Sequence, residues 1–167
     1  MTSLKTAASL TVISVVLSGS AAFADVSAED VWADWRGYMA DAGYLVDATE
    51  SRSGDTLSVT DVVMSIDIPE EESTVTMTMS EIAFTDNGDG TVSIAIPSDL
   101  PLDLSVSGQD VEEVDIGLNY ATKGLSIIVS GNPNDMVYNY SAAMVGISLE
   151  ELNVEGEMVD MDELGTV

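Results

Sequence analysis

Residues 57–68 (LSVTDVVMSIDI) and residues 75–84 (VTMTMSEIAF) decide the fold class of this chain. In both stretches apolar and polar residues alternate, which is typical of antiparallel strands with one face on a core and the other in water. The apolar set shifts by one position within each stretch, around Asp61 in the first and across Ser80-Glu81 in the second. Since a shift of one residue turns the pattern to the other face, we expect each strand to carry a bulge or to pass from one sheet layer to another.

The same alternation continues through most of the chain after residue 44, in runs separated by turn-forming residues. Gly, Asn, Asp and Ser between the runs tolerate the backbone angles that hairpin turns require. The pattern predicts a mainly β protein of roughly seven to nine strands, either an antiparallel meander or a bent sheet or sandwich. The turn sequences are Ser53-Gly54-Asp55, Asn87-Gly88-Asp89-Gly90, Ser107-Gly108-Gln109-Asp110 and Gly131-Asn132-Pro133-Asn134.

One amphipathic helix is predicted before the strands, at about residues 28–42. Ser27 and Asp30 resemble a capping box with Asp in place of Glu, and Gly43 stands where a glycine commonly ends a helix. The polar face of this helix is acidic, whereas a helix that lies on a membrane normally carries Lys and Arg there. We therefore expect it to pack on the sheet rather than to face a membrane or gate a ligand. The apolar stripe consists of Val31, Trp32, Trp35, Tyr38, Met39 and Ala42.

The first 24 residues have the organisation of a secretory signal peptide. Lys5 gives a positive start, residues 10–17 (LTVISVVL) are apolar, and Ala22-Phe23-Ala24 supplies the small residues that a signal peptidase recognises. The apolar stretch is too short for a membrane span, which takes about 20 apolar residues. We therefore expect cleavage before Asp25, a single domain over residues 25–167, and export to the periplasm. Secretion or association with the outer membrane is the alternative.

The composition excludes several classes of function. The 167 residues include 30 Asp and Glu, 4 Lys and Arg and no His or Cys, which gives a formal charge of −26. Such a charge repels phosphate backbones, so we expect no nucleic-acid partner. Without Cys and His the chain has no disulfide, thiol nucleophile, usual zinc site or His-based triad. The acidic clusters are typical of a solvated surface rather than of a catalytic carboxylate pair, and we expect no enzyme activity and no cofactor.

The acidic turn at residues 86–90 (DNGDG) has some features of a calcium loop. Such a loop needs oxygen ligands at alternating positions and a bidentate acid at the twelfth. When the loop pattern is aligned on this turn, the first position falls on Thr85 and the twelfth on Ile96, so the pattern fails at both ends. We interpret the turn as structural, with Asp86 and Asp89 as candidates for weak surface calcium binding. The acidic surface as a whole is expected to bind cations weakly and without specificity.

Methionines are frequent in the predicted strands, and Met64, Met77 and Met79 occupy alternating apolar positions. Flexible thioethers suit an apolar surface that accepts varied ligands such as acyl chains, and core filling explains the same residues. We expect a non-enzymatic, strongly acidic envelope protein with a structural or binding role, whose partner is an envelope protein or a lipid acyl chain. The alternative is a lipid or glycolipid carrier that uses the Met-lined face. The two hypotheses differ in whether that face is covered or open.

The order of several short motifs resembles that of a known family. Residues 31–35 (VWADW) are followed by residues 60–63 (TDVV), 82–84 (IAF) and 87–92 (NGDGTV). In this order the motifs are similar to the N-terminal part of the domain of unknown function family 2125. The members of that family are exported proteins of Gram-negative bacteria. The motifs are turns and helix-packing residues, so the resemblance implies export but carries over no catalytic residue. Members of that family are usually longer, so the resemblance implies a short or truncated member.

Overall fold

The computed structural model describes residues 25–69, 72–108 and 112–159. In these residues one helix is followed by ten strands, which confirms the predicted mainly β fold with an N-terminal helix. The predicted signal peptide, residues 1–24, lies outside the described residues. The elements are α1 (Ala28–Asp41), β1 (Leu45–Ser53), β2 (Thr56–Ile68), β3 (Ser73–Asp86), β4 (Val92–Ala95), β5 (Asp99–Gly108), β6 (Val114–Lys123), β7 (Ser126–Asn132), β8 (Asp135–Ser141), β9 (Met144–Val154) and β10 (Glu157–Met158).

Local sequence sets both ends of α1. The Ser27 hydroxyl accepts a hydrogen bond from the Asp30 backbone N–H at 3.2 Å, and the Asp30 carboxylate accepts one from the Ser27 backbone N–H at 3.0 Å. The predicted capping box is therefore present. At the other end Gly43 has a φ of +92°, which glycine adopts without strain, and its N–H donates to the Ala40 carbonyl. The helix ends at Asp41, one residue before the predicted boundary.

The strands form one antiparallel sheet with the connectivity of a meander. β2 pairs with β3 over its whole length, from Thr56 opposite Thr85 to Ile68 opposite Ser73. Beyond β3 each position in the sheet is occupied by two shorter strands that lie end to end. β4 and β5 both pair with β3. Next to them β7 pairs with β4 and β6 with β5, and at the outside β8 pairs with β7 and β9 with β6. The described strands belong to one sheet that packs against a single helix, so the antiparallel meander is the arrangement present rather than a sandwich of two sheets.

A line of irregularities, here called the crease, crosses the long strands at one level of the sheet. In β1 the register shifts between Asp47 and Thr49. In β2 Asp61 has a φ of +52°, and the β2–β3 register places it opposite Ser80. The burial pattern changes phase on both strands at this level, as the alternation predicts. The β2–β3 register continues across the crease unchanged, so the two phase shifts are one paired feature of neighbouring strands.

The interrupted strands break on the same line, at residues 96–98 between β4 and β5, 124–125 between β6 and β7, and 142–143 between β8 and β9. Pro97 has no N–H to donate to a sheet, and Gly124 has a φ of +64°. A local feature of the sequence therefore interrupts the pairing at two of the three breaks. The crease separates β4, β7 and β8 from β5, β6, β9 and β10, and we call the latter four strands the open wing.

The buried core lies between α1 and one face of the sheet, where the helix packs on β1, β2 and β3. Phe84 is fully buried and its ring centroid lies 5.9 Å from that of Trp32 and 5.4 Å from that of Trp35, the latter in an edge-to-face arrangement. In the described residues, no helix has the length and apolar character needed to cross a membrane. The buried core residues are Val26, Ala28, Val31, Trp32, Leu57, Val59, Val62, Met64, Ile82, Phe84, Val92, Ile94 and Val129.

Candidate functional site

One face of β2, β3, β5, β6 and β9 is apolar along three neighbouring rows of cross-strand partners. Residues directly opposite each other in an antiparallel pair share a face of the sheet, so the register defines each row. We call this surface the apolar face. The first row is Val62, Met79, Leu102, Leu118 and Leu149; the second is Met64, Met77, Leu104, Ile116 and Leu152; the third is Ile66, Val75, Val106, Val114 and Val154.

The opposite face of the same strands is polar. Side chains alternate between the two faces along each strand, so the open wing is one amphipathic layer with hydrocarbon on one side and carboxylates, hydroxyls and amides on the other. Two rows of the polar face are Thr78, Asp103, Gly117 and Glu151, and Thr76, Ser105, Asp115 and Asn153.

Burial of the apolar face decreases from the helix outward. Val62 in β2 is 1% exposed under α1, Leu102 and Leu118 are half-buried, and Leu149 in β9 is 40% exposed. Ile147, further along β9, is 67% exposed. Soluble proteins rarely leave large contiguous apolar patches in water, and those that they leave mark interaction sites. The described residues therefore leave this face open on the wing.

The methionines singled out from the sequence lie where the core meets the open wing. Met64 is 6% exposed and belongs to the core, and Met77 and Met79 are half-buried and pack against it. Met77 is the cross-strand partner of Leu104, and Met79 that of Leu102. The apolar face thus begins at the methionines, but its accessible part is built mainly from Leu, Ile and Val of the wing. In the sequence, these wing residues are indicated by the apolar side chains at every second, even-numbered position of β5 and β6.

Asp86 and Asp89, the candidates for calcium, both make internal hydrogen bonds. One Asp86 oxygen accepts from the Ala28 backbone N–H at 2.7 Å, at the first turn of α1, and the other pairs with the Arg52 guanidinium. Asp89 accepts from the Thr91 hydroxyl at 2.7 Å and the Thr91 backbone N–H at 3.1 Å. These bonds from Thr91 lower the pKa of Asp89. No three acidic side chains in the described residues are grouped to hold a metal ion.

Two arginines, Arg36 and Arg52, form ion pairs between α1 and β1. Arg52 in β1 donates to both carboxylate oxygens of Glu29 at 2.8 Å and also pairs with Asp86, and the hydrogen bond to Asp86 is the main reason that its pKa is raised. Arg36 in α1 lies 3.0 Å from Glu50 of β1 and over the ring of Trp32. These contacts pair one acid each of α1, β1 and β3 with the two arginines, so we interpret them as structural.

A groove between α1 and β8 is a second accessible site, and the sequence patterns did not single it out. Trp35 and Tyr38 of the helix and Tyr138 of β8 line it, and its volume is about 700 Å³. The only sequence signal is the pair of aromatic residues on the helical stripe, because the sheet that brings Tyr138 to them is formed by contacts distant in the chain.

No family model, curated protein or solved structure matches this chain in the comparisons with known proteins. The resemblance to the domain of unknown function family 2125 therefore stays a prediction.

Proposed function

We propose that this protein is an exported, non-enzymatic binding protein of the bacterial envelope that takes up lipid acyl chains on its apolar face. The observation that carries the proposal is the exposure of this face on the open wing, where Leu149 is 40% exposed at the end of an unbroken apolar row. A closed sandwich would leave no room for a ligand there. Among the hypotheses drawn from the sequence, the exposure favours the lipid or glycolipid carrier.

An acyl chain suits this surface better than other occupants because it is neutral and apolar. Each methylene group removed from water contributes about 0.8 kcal/mol. A second copy of the chain would bring two highly acidic molecules together, since the formal charge is −26, and like charges oppose such contacts. Docking on anionic lipid headgroups meets the same repulsion. A single lipid handed over by another envelope protein avoids that cost.

Export, the periplasm as location and membership in the domain of unknown function family 2125 are part of the same proposal. They are supported by residues 1–24 and by the order of the short motifs in the sequence. The absence of His and Cys supports a binding role rather than catalysis. Edman sequencing of the protein from an envelope fraction tests the location, and Asp25 at the N-terminus is the expected result.

Lipid binding is tested with a fluorescent fatty acid, cis-parinaric acid, and with native mass spectrometry of protein purified from the envelope. Leu118→Glu places a carboxylate at the centre of the apolar face, and Asn119→Glu places the same group on the polar face of the same strand. Both residues are half-buried, so the pair is matched in charge and position. We expect Leu118→Glu to weaken fatty-acid binding by at least about tenfold, because burying a carboxylate against hydrocarbon raises the Kd by that factor or more. We expect Asn119→Glu to leave fatty-acid binding unchanged.

Two results would contradict the proposal. The first is a wild-type protein that carries no lipid from the envelope and takes up no fatty acid. The second is a wild-type dimer in analytical ultracentrifugation that Leu118→Glu dissociates and that binds no fatty acid, which would assign the face to self-association. Circular dichroism of each variant verifies that the sheet is intact.

A further inference from the structure

The groove between α1 and β8 combines aromatic rings with carboxylates. Trp35, Tyr38 and Tyr138 contribute the rings, and Asp34 and Asp41 contribute the acids. Tyr38 is 78% exposed and Tyr138 is 37% exposed, so both rings are accessible. None of the described lining residues is basic. The volume of about 700 Å³ lies within the range of small-molecule sites.

A hydrogen bond across the groove fixes its two walls. The Tyr138 hydroxyl donates to Oδ2 of Asp34 at 2.6 Å and so joins β8 to the helix. Partial burial of the phenol and this bond to a carboxylate raise the pKa of Tyr138. The phenol therefore stays neutral as a donor, and Asp34 presents a positioned negative charge beside the rings. Tyr138 lies on the helix side of the sheet because it pairs with Val129 of the core.

We propose that this groove binds a quaternary ammonium group. A cation over aromatic faces is attracted by their π-electrons, and recognition of choline-like groups is a common use of such an arrangement. Asp34 and Asp41 add charge complementarity that a neutral apolar ligand would not use. A trimethylammonium group offers no N–H donor, so rings and charge alone hold it, and this lining supplies three rings and two carboxylates.

A cation–π contact beside a carboxylate also occurs within the chain itself. Arg36 lies over the ring of Trp32, with its guanidinium carbon 5.4 Å from the ring centroid, and pairs with Glu50. Cation, ring and carboxylate thus occur together on the β1 side of α1. On the β8 side the rings and the carboxylates are present and the ligand would supply the cation. This proposal does not depend on the binding of acyl chains to the apolar face.

The test uses the folded chain and pairs of ligands that differ in charge. Choline and its neutral isostere 3,3-dimethyl-1-butanol are titrated by NMR, together with tetramethylammonium as the bare cation. We expect choline and tetramethylammonium to bind and the neutral isostere to bind at least fivefold more weakly. Equal affinity for choline and the isostere would overturn the proposal, because the groove would then select shape and not charge.

Variants locate the binding in the groove. Tyr38→Ala removes an exposed ring at little cost to folding, and Asp34→Asn removes a charge. We expect each to weaken choline binding by about two- to fivefold, the size of a cation–π or exposed charge contribution. Tyr140→Ala is the matched control, since Tyr140 is also 78% exposed and lies in β8 outside the lining. Weakening by Tyr140→Ala but not by Tyr38→Ala would overturn the proposed location.

The trimethylammonium group occurs in free solutes and in phosphocholine lipids, and a further ligand separates the two sources. Monomeric dihexanoyl phosphatidylcholine carries the headgroup with short chains. Binding that is tenfold or more tighter than that of choline, and that Tyr38→Ala weakens by the same factor as it weakens choline binding, supports the site and assigns it to a lipid headgroup. Binding equal to that of choline supports the site and assigns it to a free solute.

Discussion

Strands β3 and β6 carry the same alternation of apolar and polar residues, but their apolar sides have different surroundings. Phe84 of β3 is enclosed by Trp32 and Trp35 of the helix, whereas Leu118 of β6 is half-buried with no element packed over the wing in the described residues. Alternation therefore indicates that a strand has an apolar side, and says nothing about what covers that side. The covered region buries its apolar side, and the open wing leaves its apolar side accessible.

The two regions also differ in charge pairing. Two of the basic residues, Arg36 and Arg52, hold the helix to the strands through Glu50, Glu29 and Asp86. Lys123 stands at the crease end of β6, and the described part of the wing beyond it contains no other basic residue. The acids of the wing therefore repel each other without local partners, so we expect the wing to depend more on ionic strength than the covered region does.

The largest expected difference between the regions is in stability. Phe84→Ala removes a fully buried ring, and we expect it to lower the free energy of unfolding by about 3–5 kcal/mol. Leu118→Ala removes a half-buried side chain from an open surface and should cost about 1 kcal/mol. Urea denaturation followed by tryptophan fluorescence measures both. Similar losses for the two variants would mean that the wing is covered in solution.

Much of the fold could be predicted from the sequence because its signals are local. The capping box at Ser27, the stop at Gly43 and the phase shift at Asp61 depend on neighbouring residues, and the structure confirms each of them. The continuity of the crease could not be predicted, because it depends on which interrupted strands lie end to end. The groove at Tyr138 could not be predicted either, since Asp34 lies 104 residues away in the chain.

The helix cap gives a second, smaller test of the covered region. Ser27→Ala removes the hydroxyl that accepts from Asp30, and such a loss typically costs about 1 kcal/mol. Hydrogen exchange should show faster exchange in α1 and in the parts of β1–β3 beneath it. Exchange in β6 and β9 should stay the same if the helix does not support the wing. Faster exchange throughout the sheet would instead show that the two regions unfold as one unit.

Added salt should act mainly on the wing. Screening relieves repulsion among unpaired acids, so we expect 0.2 M sodium chloride to raise the thermal midpoint by a few degrees and to slow exchange in β6 and β9 more than in α1. Calcium at millimolar concentration should raise the midpoint slightly more than sodium at equal ionic strength. Asp89→Asn should keep most of this calcium effect, since one carboxylate oxygen of Asp89 already accepts two hydrogen bonds from Thr91. Complete loss of the calcium effect in that variant would identify a specific site in the turn.

The smallest expected effect is the acid dependence that Asp89 contributes at the β3–β4 turn. Hydrogen bonds from Thr91 lower the pKa of Asp89 in the folded protein, so the folded state favours the carboxylate. This contribution is present above the ordinary carboxyl pKa of about 4 and is lost as the pH falls through the lower folded value. Asp89→Asn should therefore lower the urea midpoint slightly at pH 7 and make it fall less steeply between about pH 4 and pH 2. Thr91→Val removes the hydroxyl donor and should reproduce part of that change. If Thr91→Val leaves the acid dependence as it is in the wild type, the Thr91 hydroxyl does not hold the Asp89 carboxylate, and that carboxylate would be available to a cation.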